Sequence, residues 1–259
     1  MQKLSDIGRI FYGIAIAVLG FLTVYYQRFP YMLIPPVHSR NAGFLMIVYI
    51  SGAFLMIAGV CIVLKKNVNQ ISLWLGAILL LIFCFYFIPY QFVAAKSFVH
   101  FGDWENAAKE LALSAGAFVI AGSFSGSMMN LRKIFFERII PYGAILYAIT
   151  IISFSIDHFL YAKEAADYVP SWIPAHLFWM YFCGAALLAS GIAIILKIKT
   201  RLAATLLGSM ILIWFIILHI PYVITASSAA ERAGETASAC LALAYSGIAF
   251  VIAGDSQKK

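Results

Sequence analysis

Residues 71–94 read ISLWLGAILLLIFCFYFIPYQFVA, and residues 202–224 read LAATLLGSMILIWFIILHIPYVI. Each is a continuous apolar run longer than the roughly 20 residues that a helix needs to cross hydrocarbon. Neither alternates apolar with polar positions, so neither reads as a barrel strand. The two runs are also versions of one another. Ile88-Pro89-Tyr90 returns as Ile220-Pro221-Tyr222 and Gly76 returns as Gly208, since 220 − 88 and 208 − 76 are both 132. The same offset pairs Gly52-Ala53 with Gly184-Ala185, Gly59 with Gly191, and Ile120-Ala121-Gly122 with Ile252-Ala253-Gly254. Small shifts of the offset match Tyr12-Gly13 with Tyr142-Gly143, Pro36 and His38 with Pro174 and His176, and Leu111-Ala112-Leu113 with Leu241-Ala242-Leu243.

The remainder of the 259 residues fits that beginning. The chain is 63% hydrophobic and 11% charged, with mean hydropathy +0.93, whereas soluble domains carry roughly a quarter charged residues. This excludes a soluble enzyme domain, a nucleic-acid binder and a secreted disulfide scaffold. Long apolar runs lie near 9–26, 43–64, 71–94, 109–126, 139–161, 177–197, 202–224 and 237–254. The expected fold is therefore an all-α membrane protein with eight transmembrane helices. The offset divides them into two four-helix bundles, about 1–130 and 131–259, in parallel orientation because four is an even number. Lys3 and Arg9 precede the first run, but no small-residue cleavage site follows it, so it is expected to be retained.

Charge sets the expected orientation. The termini and the even-numbered loops carry Lys3, Arg9, Lys65, Lys66, Arg132, Lys133, Arg138, Lys197, Lys199, Arg201, Lys258 and Lys259 out of 18 basic residues. The other side carries Arg28, Arg40, Lys96, Lys109, Lys163 and Arg232, with most of the acidic residues, including Asp103, Glu105, Glu110, Asp157, Glu164 and Glu231. By the positive-inside rule both termini are cytoplasmic, in an inner (plasma) membrane. The loops leave no room for a soluble domain.

The Arg-led first helix (Arg9-Ile-Phe-Tyr-Gly13; Arg138-Ile-Ile-Pro-Tyr-Gly143), the Gly-Ala second helix (Gly184 to Gly191) and the last helix around Lys109 to Gly116 resemble the DoxX-like family of small four-helix membrane proteins. The resemblance covers nearly the whole chain, once per copy. It implies association with membrane redox or stress complexes, and it transfers no catalytic residue to any position here.

The polar groups concentrate in the outer half of the second copy. Thr150, Ser153, Asp157 and Tyr161 are spaced 3, 4 and 4 and so share one helix face. Asp157 and His158 end the fifth helix, His176 opens the sixth beside Pro174, and His219 stands near the outer end of the seventh. Pro221 has no amide to pair with the carbonyl of Ile217, leaving an acceptor beside His219. Ionisable groups in a membrane helix are costly and usually face a cavity or partner. The candidate cofactor-binding set is therefore Asp157, His158, Tyr161, His176, Trp179 and His219. The cofactor itself is left open. A quinone, with a flat ring and two carbonyls, suits aromatic walls and one or two donors. A metal suits less, because the ligands come from separate helices without local spacing, and a haem lacks a matched histidine pair. The plain alternative is that these groups bond one another and tie the helices together.

Cys61, Cys84, Cys183 and Cys240 lie in separate runs with no Cys-x-x-Cys, which argues against a thiol-exchange enzyme. The leading expectation is a quinone-interacting or anchoring subunit of a membrane redox system, contacting the bilayer and a redox partner protein. A small-solute carrier and a non-catalytic scaffold are the alternatives.

Overall fold

The computed structural model describes residues 2–35, 41–96, 98–124 and 138–256, which form helices with no strand among them. His38 and the basic pair Arg132 and Lys133 lie outside the described residues. The helices are α1 (Gln2–Tyr25), α2 (Ala42–Val63), α3 (Val68–Ile82), α4 (Glu105–Ser123), α5 (Gly143–Leu160), the short α6 (Ala162–Ala166), α7 (His176–Ile195), α8 (Thr200–Trp214), the short α9 (Ile220–Thr225) and α10 (Ala229–Asp255). Among the described residues, seven stretches are long and apolar enough to cross a membrane: Lys3–Tyr25, Ala42–Val63, Val68–Ala94, Ile140–Leu160, His176–Ile195, Thr200–Thr225 and Ala229–Asp255. The chain is thus a multi-pass membrane protein. α4 is not among the seven because Glu105, Lys109 and Glu110 occupy its first two turns.

Neither Ile-Pro-Tyr segment breaks its helix. A proline removes one amide from the ladder, and here the turn before it widens so that each amide reaches one residue further back. Ile88 donates to Phe83 O and Ile220 donates to Phe215 O, closing wide turns at Phe83–Phe87 and Phe215–His219. Both stretches stay continuous through the proline, and His219 is carried on the second wide turn.

α1 runs between α2 and α10, and α5 runs between α4 and α7. α3 covers α4, α8 covers α10, and α4 and α10 meet in the middle. The span holding α10 is accordingly 83% buried, against 17% for Thr200–Thr225. Exposed Phe85, Val93, Ile216 and Ile224 give the outer face the apolar character that a bilayer covers.

Small residues set the helix separations, as expected where lipid supplies no hydrophobic drive. Gly13 and Gly59 face one another across α1 and α2, as do Gly20 and Gly52. Gly8 lies on the Gly247 backbone of α10, and Gly143 lies on Ala115 and Val119 of α4. Hydroxyls then stitch the interior. Ser114 Oγ donates to Gly76 O at 2.8 Å, and 132 residues later Ser246 Oγ donates to Gly208 O at 2.8 Å. The tight turns between α2 and α3 and between α7 and α8 recur likewise, with left-handed φ of 59° and 48° at Lys65 and Asn67 and of 58° and 44° at Lys197 and Lys199.

One end of the bundle is tied by charge. The Arg9 guanidinium donates to Ile62 O and Val63 O at the end of α2, where the free carbonyls favour a cation. Asp6 pairs with Lys65 at 2.8 Å, and Arg9 and Lys65 lie over the Phe124 ring at 5.5 and 5.6 Å. Gly254 packs on Ser5, so the start of α1, the α2–α3 turn and the end of α10 share that end.

Candidate functional site

The six sequence-selected residues fall into two kinds, those whose polar atoms already have protein partners and those whose polar atoms have none. His158 Nδ1 donates to Phe154 O at 2.8 Å, one turn back on α5. Tyr161 OH accepts the Gly102 amide at 3.1 Å, fastening the loop before α4 to the end of α5. Trp179 Nε1 donates to Pro174 O at 3.1 Å, and its ring meets Trp214 edge-on at 6.2 Å between centroids. Trp214 in turn donates to Cys183 Sγ at 3.0 Å. His158, Tyr161 and Trp179 are thus built into the scaffold or its aromatic wall.

His176 begins α7 and lines a shallow recess of about 410 Å³ with Asp167, Trp172, Pro221, Tyr222 and Thr225. Ala175 before it has φ 57° and ψ 51°, the left-handed conformation that costs an alanine about 1–2 kcal/mol. Ala175→Gly is therefore expected to raise stability by about 1 kcal/mol, net of the extra freedom of an unfolded glycine. An upward shift of the thermal unfolding midpoint would show it, and an unchanged or lower midpoint would contradict it.

Asp157 and His219 are different. Both carboxylate oxygens of Asp157 and Nδ1 of His219 are buried, and they have no hydrogen-bond partner among the described residues. Both lie within electrostatic reach of Lys109 on α4, and Asp157 and His158 within reach of Glu105. Lys109 and Glu105 pair at 2.7 Å one turn apart. Lys109, near the start of α4, is thus the charge common to Asp157 in the last turn of α5 and His219 on the wide turn after α8, with Glu105 paired to it. His176, Tyr161 and Trp179 do not share that cluster's free polar atoms.

Two features were not selected from the sequence. One is an apolar groove of about 740 Å³ between α7 and α8, lined by Trp179, Phe182, Leu206, Met210, Trp214 and Ile217. The other is Glu110, read from the sequence as an outer-side charge. It is 0% exposed within α4, with neither carboxylate oxygen partnered among the described residues. Its signal was available, because Ala107, Glu110, Ser114 and Ala117 share one face at helical spacing and the 132-residue offset sets Glu110 opposite Ala242.

The four cysteines are free thiols, and no cluster of three His, Cys, Asp or Glu side chains able to hold a metal occurs among the described residues. Compared with known proteins, the chain matches no family model, no curated protein and no solved structure.

Proposed function

We propose that the chain is two fused copies of a four-helix unit, about 1–130 and 131–259, crossing the inner membrane eight times with both termini cytoplasmic. On this reading α4 is the eighth span. The recurrence at 132 residues of the Ser-to-Gly hydrogen bond, the wide proline turns and the left-handed turns supports it. The first helices follow another register. Gly8 meets Gly247, Phe250 and Val251 while Gly143 meets Ala115, Phe118 and Val119, and Gly59 meets Gly13 while Gly191 meets Ala148. These contacts favour an offset of 135, since 143 − 8 and 148 − 13 are both 135. Arg9 then answers to Ala144 and not to Arg138, so the Arg-led motif of the DoxX-like resemblance holds for the first copy alone. The architecture remains our reason for retaining that resemblance.

The activity we infer is that of a small-solute carrier. Its support is the unpartnered Asp157 and His219 beside Lys109, because α4 belongs to one copy and α5 and α8 to the other. Solute sites in repeat-built carriers lie between the repeats, where rocking of one against the other alternates access. A small polar solute with a donor for Asp157 and an acceptor for His219 would satisfy both groups. Purified protein in liposomes is expected to pass one of a panel of radiolabelled amines, amino acids or organic acids, with flux lost in Asp157→Asn. No flux across the panel overturns the carrier reading.

The α7–α8 groove favours a second reading, a quinone-interacting or anchoring subunit of a redox system with a partner protein. The groove is long and apolar enough for an isoprenoid tail, and Trp179 and Trp214 wall its outer part. Quinone co-extracted with purified protein and lost in Trp214→Ala would support this reading. Quinone-free protein overturns it.

A further inference from the structure

We infer that Glu110 is a proton-binding site at mid-depth in the bundle. Its depth follows from its neighbours. Leu113, one turn along α4, has its carbonyl bonded at 2.7 Å by Tyr12 OH, and Tyr12 stands near the middle of α1. Tyr245 OH, from near the middle of α10, donates to Lys109 O at 3.2 Å.

The burial is complete, and the carboxyl has no donor among the described residues. An isolated carboxylate in an apolar interior is too costly to persist, so the side chain must hold a proton or a cation. A structural role would use hydroxyls at hand, yet each nearby tyrosine commits its proton elsewhere: Tyr12 to Leu113 O, Tyr147 to Tyr245 O and Tyr245 to Lys109 O. A metal ion needs several converging ligands, and no cluster of three acidic, His or Cys side chains forms one among the described residues. A proton needs only the carboxylate.

The titratable groups around Glu110 are few. Tyr12 faces it from α1 and Tyr245 from α10, both within its electrostatic reach, with Tyr147 of α5 coupled through Tyr245. α3, which covers α4, contributes no ionisable side chain. Its own helix contributes Lys109 and Glu105, already paired with each other. Lys109 adjoins Glu110 in the chain and lies within electrostatic reach of Asp157 and His219. The site deepens the carrier reading by naming the proton as the coupled species, but it can be tested without solute flux.

The test uses the full chain in lipid nanodiscs. A hydrophobic carbodiimide reacts with protonated carboxylic acids, so the unmodified protein is expected to carry an adduct on Glu110, mapped by mass spectrometry. The infrared carbonyl band of a protonated acid should be present and should vanish in Glu110→Gln. An unmodified Glu110 across acidic and neutral pH, or a band unchanged in Glu110→Gln, overturns the site. Absent solute flux with the adduct and band intact removes the carrier reading and leaves the proton site standing.

Discussion

Gly59→Leu is expected to separate α1 from α2 and to cost the bundle about 3 kcal/mol, the upper end of what overpacking usually costs. A Cβ on Gly59 would fall 2.8 Å from Ala17 Cα and against the Gly13 carbonyl, both backbone atoms that no rotamer change can move. Relief requires the helices to part, and that loses contacts along the whole Gly13–Gly59 and Gly20–Gly52 seam. Van der Waals contact is the main source of helix association in lipid, so no other term replaces it. Gly234→Leu is the control. It lies in α10 with nothing within 4 Å of a new Cβ, and it gains the helix propensity that glycine lacks. Thermal unfolding followed by size-exclusion should show a large fall in midpoint for Gly59→Leu and none for Gly234→Leu. Equal midpoints would mean that the seam is not a determinant of stability.

That contrast also shows what could be read from the chain. The apolar runs, the small-residue positions on the second helices and the 132-residue recurrence are periodic, and period survives without coordinates. The register of the first helices did not survive. Matching Tyr12-Gly13 to Tyr142-Gly143 uses two shared letters, whereas the contacts favour Gly8 with Gly143. An error of five residues turns a helix by about 140°, so the matched residues face different neighbours. The histidines were found because polar groups in apolar runs are conspicuous, but a sequence does not show which of them bond their own backbone. His158 does so through Phe154 O, and Asp157 beside it does not. Glu110 was passed over for the opposite reason. It stands next to Lys109 at the edge of a run, where charges normally mark the end of a span. Only the packing of α4 against α3, α5 and α10 turns that edge inward.

Glu110→Met is expected to stabilise the protein by about 1–3 kcal/mol, the cost of a buried polar group without a partner. Methionine has a similar length, fits irregular gaps and brings no acid to desolvate. Its neighbours lose nothing, because the hydroxyls of Tyr12, Tyr147 and Tyr245 keep their carbonyl partners whatever occupies position 110. The same change should abolish the carbodiimide adduct. A gain in stability joined to a loss of proton binding is the pattern of a functional group held at structural expense, since scaffold residues lose stability when replaced. A fall in the unfolding midpoint of several degrees would instead mean that Glu110 holds the helices together through bonds of its own. Tyr147→Phe separates the two cases further. It removes a buried donor from Tyr245 O and leaves that carbonyl without this donor, so it should destabilise by about 1–3 kcal/mol while the Glu110 adduct persists. Opposite signs for these two substitutions are what a proton site set inside a structural hydroxyl network requires.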